Sequence, residues 1–153
     1  VGMIQGGSSA NVIAAESKAI IDVRVRNQDD AEFISREILS LKPVHKDSDL
    51  EIEGYFGRPP MEKTPRNQQL WELAKDLGKS ININLEQATA GGGSDGNTTS
   101  HYTATLDGLG TTGDGAHARH EFIFRDKLVE RTALLTMLLL AKPLEKIEMD
   151  LIK

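Results

Sequence analysis

The chain has 153 residues, of which 39% are hydrophobic, 27% charged and 5% aromatic; that suits one ordinary domain or two small units with a real core, and excludes a disordered tail. Lys and Arg number 18 against 23 Asp and Glu, a net charge of −5, which excludes a basic nucleic-acid footprint as a default. Cys is absent, so there is no disulfide framework and no thiolate to act as nucleophile or metal ligand, and no run of about 18 apolar residues offers a membrane span.

Val1-Gly2-Met3-Ile4 opens the chain inside an apolar segment, without an initiator Met or a signal-peptide charge pattern. The expectation is a piece cut from a longer cytoplasmic protein, with part of any catalytic site outside it. Val1 to Ile4 reads as a short strand, ended by Gly6-Gly7-Ser8-Ser9. From Ser17 to Arg26, Ala19, Ile21, Val23 and Val25 alternate with Lys18, Asp22, Arg24 and Arg26, a strand with one wet face. Asp29-Asp30 begin a helix whose stripe is Phe33, Ile34, Ile38 and Leu41, stopped by Pro43. Leu50, Ile52, Gly54 and Phe56 read as a further strand. This β-β-α-β order is most of a ferredoxin-like split βαβ unit lacking its first strand and helix.

Beyond Gly57-Arg58-Pro59-Pro60, Thr64 caps a helix with Pro65 in its first turn. Leu70, Leu73, Ala74 and Leu77 form its stripe, and Gly78 is placed at its end. A short strand over Ile81 to Leu85 precedes the loop Gly91-Gly92-Gly93-Ser94-Asp95-Gly96, which leads into a short helix reaching about Tyr102, with Asp95 as a candidate cap. Thr103 to Leu106 reads as a buried strand, Leu109 to His120 as a Gly-rich loop, Glu121 to Phe124 as extended, and Arg125 to Leu140 as a strongly apolar helix. Helices alternating with short strands point to the α/β class.

The chemistry concentrates in the two Gly-rich loops. Glycines let backbone amides approach a ligand, and such a loop ahead of a helix can hold an anion. It is neither a phosphate-binding Gly-Lys-Ser/Thr loop nor a dinucleotide fingerprint, and a pair of tight loops explains the glycines as well. His117, hemmed by small residues, is free to reach a metal or simply to face solvent. Zinc needs three or four protein ligands, so a metal site requires donors from elsewhere.

The ordered set of Gly6-Gly7 to Asn11-Val12-Ile13, Ile21-Asp22-Val23-Arg24, Gly57-Arg58-Pro59-Pro60, GGGSDGN over 91–97, TLDGLG over 105–110 and Gly-x-Gly-Ala-His before an apolar helix resembles the dizinc exopeptidase and deacylase family. That family includes glutamate carboxypeptidase, acetylornithine deacetylase, succinyl-diaminopimelate desuccinylase, aminoacylase and peptidase T. GGGSDG and GRPP resemble the glutamate-carboxypeptidase branch most. The resemblance implies an α/β protein with an α+β lid: an incomplete ferredoxin-like lid over residues 1–57, then the C-terminal α/β part of a zinc-exopeptidase catalytic domain over 58–153. It implies that His117 is the last metal ligand of a two-zinc site, and that Arg58 grips the free carboxylate of the substrate. Asn11 is implied to assist at that carboxylate or the polarised carbonyl. Arg24 is implied to reach the site from the lid strand, a residue that reads equally as a solvated strand charge. Gly92, Gly93 and Ser94 are implied to lie beside the substrate pocket.

The family's general base is the first Glu of a Glu-Glu pair, and this chain has no such dipeptide. His45-Lys46-Asp47 fits the family's His-x-Asp text, but it follows a Pro43-stopped helix amid Lys42, Lys46 and Asp49 and is rejected. No catalytic residue is therefore assigned within the chain. The expected parent is a zinc carboxypeptidase acting on a small peptide, with an N-acyl amino acid deacylase as the alternative and a non-catalytic binding or dimerisation module as the third reading. The isolated chain is expected to be inactive. The expected partners are substrate and a second copy through the lid, with no nucleic acid and no membrane.

Overall fold

The computed structural model describes residues 1–144; the rest of the second predicted unit lies outside the described residues. The elements in chain order are β1 (Met3–Gly6), β2 (Ser17–Ile20), α1 (Gln28–Leu39), α2 (Pro65–Ser80), α3 (Asp95–Thr99), β3 (Gly113–Asp114), β4 (Phe122–Ile123) and α4 (Arg125–Leu140). The chain is thus a mixed α and β protein with two small antiparallel ribbons, β1–β2 and β3–β4.

In the first ribbon Met3 pairs with Ile20 and Gly6 with Ser17. The predicted strand over 17–26 is hydrogen-bonded only to Ile20. With Met3 opposite Ile20, residues beyond Asp22 run past Val1 and have no strand beside them among the described residues. The predicted strand over 50–56 joins no ladder among the described residues. Residues 1–57 are therefore seen as β-β-α rather than the expected β-β-α-β.

Helix α1 begins one residue before Asp29 because Asn27 caps it: its Oδ1 accepts from the Asp30 amide at 2.7 Å. Its inward stripe is Ala31, Ile34, Ser35 and Ile38, the helical i, i+3, i+4, i+7 set. Phe33 and Leu41, expected inside, are exposed, and the Arg36 guanidinium lies 6.0 Å from the Phe33 ring centroid.

Helix α2 has the expected Thr64 cap and Pro65, but it continues past Gly78 to Ser80. The left-handed residue that ends it is Asn82, φ +59. The Ile83 amide donates to Gly78 O at 2.8 Å and the Asn82 amide to Lys79 O at 3.1 Å, the double bond pattern of a Schellman end. Gly78 serves packing instead: a Cβ there would lie 3.1 Å from Ile83 O and 3.2 Å from Leu85. The chain can therefore fold back closely along the helix.

Helix α4 packs against α2, with Ala74 of α2 and Leu134 of α4 fully buried. Its second half, Ala133 to Leu140, is apolar nearly all round, a pattern that suits burial on more than one side. Here one face meets α2, while Val129, Leu135, Leu139 and Leu140 remain exposed. On the polar side, Lys127 Nζ meets Glu130 Oε1 at 2.7 Å, and that hydrogen bond and charge raise the Lys127 pKa above the usual lysine value.

The predicted strands over 81–85 and 103–106 also join no ladder among the described residues. The amide of Thr105 donates to Asn67 Oδ1 at 2.9 Å rather than to a neighbouring strand. The consequence shows in total exposure. The chain presents 13189 Å² to solvent, whereas a compact chain of its mass presents roughly 7,600 Å². Only Ala31, Ala74 and Leu134 are buried apolar residues among those described.

Candidate functional site

A broad cleft of about 1020 Å³ lies between the segment after β2, helix α1, the 54–63 segment, helix α2 and the first Gly-rich loop. Its lining includes Arg24, Arg58, Gly91 to Gly93, Trp71 and Asp107. Three segments far apart in sequence thus bring two guanidinium groups to one glycine loop.

Arg24 is held from both sides. Its Nη1 donates to Gly91 O at 2.9 Å, and its Nε donates to Asp22 Oδ2 at 3.0 Å. Arg58 lies against the same loop one turn of chain further on. A Cβ on Gly93 would meet Arg58 Cδ at 3.2 Å and Nη1 at 3.4 Å, so glycine leaves the room that the guanidinium occupies. Both arginines remain exposed, Arg24 in an ion pair with Asp22 at 2.9 Å.

Ser94 is used structurally. It is the N-cap of α3, in place of Asp95, which falls in the first turn. Its Oγ accepts from the Gly96 amide at 3.0 Å and donates to Asp107 Oδ2 at 2.6 Å. Its own amide donates to Asn97 Oδ1 at 2.8 Å, completing a reciprocal cap. Asn97 Nδ2 donates to Pro59 O at 2.8 Å. Gln28 of α1 joins the same framework, its amide donating to Glu62 Oε1 at 2.8 Å.

Asn67, 4% exposed, links this framework to the core. Its Nδ2 donates to Glu62 O at 2.9 Å while its Oδ1 accepts from the Thr105 amide. Arg66 donates through Nη2 to the carbonyl of buried Ser100. Sequence reasoning missed Asn67, Asn97 and Asp107. The Ser94-x-x-Asn97 spacing is a capping pattern and was the available signal for Asn97. Nothing local marks Asn67 or Asp107, whose partners lie 38 and 13 residues away.

Asn11 and His117 are outside the lining of this cleft. Asn11 sits in the long connection between β1 and β2, within a turn closed by the Val12 amide on Ser9 O at 3.3 Å. His117 stands between β3 and β4, in a turn closed by the Ala118 amide on Gly115 O at 2.8 Å. Its φ of +68 is a left-handed conformation that histidine adopts at a cost of order 1 kcal/mol. A Gly, the usual occupant of that turn position, would be cheaper. His45 and Asp47 lie in an exposed turn, 4.0 Å apart.

The metal fit is incomplete. Among the described residues no group of three or more His, Asp and Glu is placed to hold an ion, and zinc needs at least that many protein donors. Within the described residues, no helix is long and apolar enough to cross a membrane.

The family description "Peptidase family M20/M25/M40" matches residues 2–141, nearly the whole chain. No curated protein and no solved structure matches it. Proteins of that family are peptidases and related hydrolases and are in general metal-dependent. The ordered motifs that meet at the cleft and the family match over residues 2–141 agree: this chain belongs to the peptidase family M20/M25/M40.

Proposed function

We propose that the complete protein carrying this chain is a carboxypeptidase-like amidohydrolase, cleaving an amide bond next to a free carboxylate. The observation that carries this reading is the convergence of Arg24 and Arg58 on the Gly91–Gly93 loop. A guanidinium presents a planar fork of donors that matches a carboxylate bidentately. Two such groups on one glycine-lined wall form a grip for an acidic substrate tail. Gripping the non-reacting end of the substrate fixes the scissile amide relative to the catalytic groups, which lowers the entropic part of the barrier.

In this reading zinc is the metal of the parent enzyme, polarising the scissile carbonyl when bound. His117 supplies one of its ligands, and the other ligands and the general base come from outside this chain. The positive φ of His117 supports a functional role, since strained residues persist where structure and function demand them. Residues 1–57 act as the lid and dimerisation unit and 58–153 as the catalytic-domain segment. Because a single imidazole cannot hold zinc tightly, the isolated chain is expected to show no stoichiometric sub-micromolar binding by titration calorimetry. Tight binding that is lost in His117→Ala keeps His117 as a ligand but overturns the placement of the remaining ligands outside this chain.

The direct test is a substrate panel on the complete protein: dipeptides with free C-terminal glutamate, the same dipeptides as C-terminal amides, and N-acetyl amino acids. Preference for the free-acid dipeptides over both other groups supports the proposal. Preference for N-acetyl amino acids transfers the assignment to a deacylase, and indifference to the free carboxylate removes it.

A further inference from the structure

We propose that Asn97 is a positioning residue for Arg58, holding the arginine-bearing segment against the glycine loop, and so deciding how strongly the site prefers an anionic substrate tail. The proposal rests on the carboxylate-grip reading above and adds to it a residue outside the substrate contacts.

The segment that carries Arg58 is anchored at Glu62, by Asn67 Nδ2 and the Gln28 amide, three residues beyond Pro59. Residues 57–63 belong to no helix or strand, and Pro59 and Pro60 have no amide hydrogen to donate. Carbonyl oxygens are therefore the handles available at those two positions. Asn97 Nδ2 takes the first of them, donating to Pro59 O at 2.8 Å across 38 residues of chain. The other end of the same amide, Oδ1, accepts from the Ser94 amide at 2.8 Å. One planar side chain thus joins the residue after Arg58 to the residue after Gly93.

Those are the two places where spacing matters. The Arg58 side chain rests against Gly93, where an added Cβ would lie tightly, 3.2 Å from Cδ and 3.4 Å from Nη1. A shift of the 58–59 backbone relative to the 93–94 backbone moves the guanidinium off the loop wall. Asp107 fixes the far side of the clamp, accepting from Ser94 Oγ at 2.6 Å, so the glycine loop does not follow such a shift. The chemistry of Asn97 is specific: it needs an acceptor toward Ser94 and a donor toward Pro59. Asp keeps the acceptor, hence the cap of α3, but sets a carboxylate oxygen against the Pro59 carbonyl.

The experiment is Asn97→Asp in the complete enzyme, alone and combined with Arg58→Ala. It is assayed on a dipeptide with a free C-terminal glutamate and on its C-terminal amide. The ratio of kcat/KM for acid over amide is expected to fall about tenfold, mainly through KM, and to fall no further in the Arg58→Ala background. Equal losses on both substrates, or an undiminished effect with Arg58 absent, identify a merely structural role and overturn the proposal. If Arg58→Ala leaves the acid-to-amide ratio unchanged, the carboxylate reading itself fails. The positioning role is then decided by the 15N–1H heteronuclear NOE of the Arg58 Nε–Hε group. A drop in Asn97→Asp shows that Asn97 still orders Arg58, and an unchanged value overturns that too.

Discussion

Replacing Arg58 by Ala in the complete enzyme is expected to lower kcat/KM on a substrate with a free C-terminal carboxylate by about 100-fold, close to 2.7 kcal/mol. On the matching C-terminal amide the loss is expected to be only a few-fold. The reason is the chemistry of the grip: the guanidinium fork makes two charge-assisted hydrogen bonds to a carboxylate, and a neutral amide offers no charge to pair. Because the carboxylate takes no part in the bond change but orients the amide beside it, losing its grip loosens the bound geometry as well as the binding, so KM rises while kcat falls. Arg58→Lys should recover part of the activity, since it restores the charge without the fork. Steady-state kinetics on the acid and amide pair measure the outcome. Equal losses on both substrates refute the assignment of Arg58 to the carboxylate.

Asn67→Leu is expected to destabilise the protein by about 3 kcal/mol. The side chain is 4% exposed and has a partner at each end, Glu62 O and the Thr105 amide. Leucine is close in size but cannot pair with either, leaving the Glu62 carbonyl and the Thr105 amide without the part-buried bonds they make to Asn67, each loss costing about 1–2 kcal/mol. The effect should reach the site as well, because Glu62 receives the first amide of α1 and stands three residues after Pro59. Asn67→Asp, which keeps the acceptor for Thr105, should lose less. Urea unfolding of the complete protein reads the change as a lower midpoint at constant slope. A shift worth under about 1 kcal/mol shows that water replaces both partners and removes Asn67 from the framework.

The helices were the legible part of this chain because their signals are local. Thr64 and Pro65 mark the start of α2, and the apolar run from Arg125 to Leu140 is α4 within its observed bounds. Where local reading failed, a competing role was present. Gly78 was read as a stop and proved to be a packing position, with Asn82 ending the helix. Asp95 was read as a cap, but Ser94 stands one residue earlier and its hydroxyl reaches the Gly96 amide. The strands were legible only as patterns. Alternation over 17–26 and 50–56 marks which residues face which way, but a strand becomes a sheet through its neighbour's hydrogen bonds. The described residues provide a partner only as far as Ile20.

The candidate site divides in the same way. The motif order pointed to the family, and the family match over residues 2–141 agrees with it. The arginines at 24 and 58 were singled out as chemistry-bearing residues before any geometry. Their meeting at Gly91–Gly93, and the Asn97, Asp107 and Asn67 bonds that brace the loop, were decided by tertiary structure. Those contacts join residues separated by 13 to 67 positions. The physical reason is range. Caps, helix stripes and turn glycines depend on neighbours within one or two turns of chain, so residue order alone dictates them. A polar side chain that pairs with a distant carbonyl obtains its role only when folding brings that carbonyl to it.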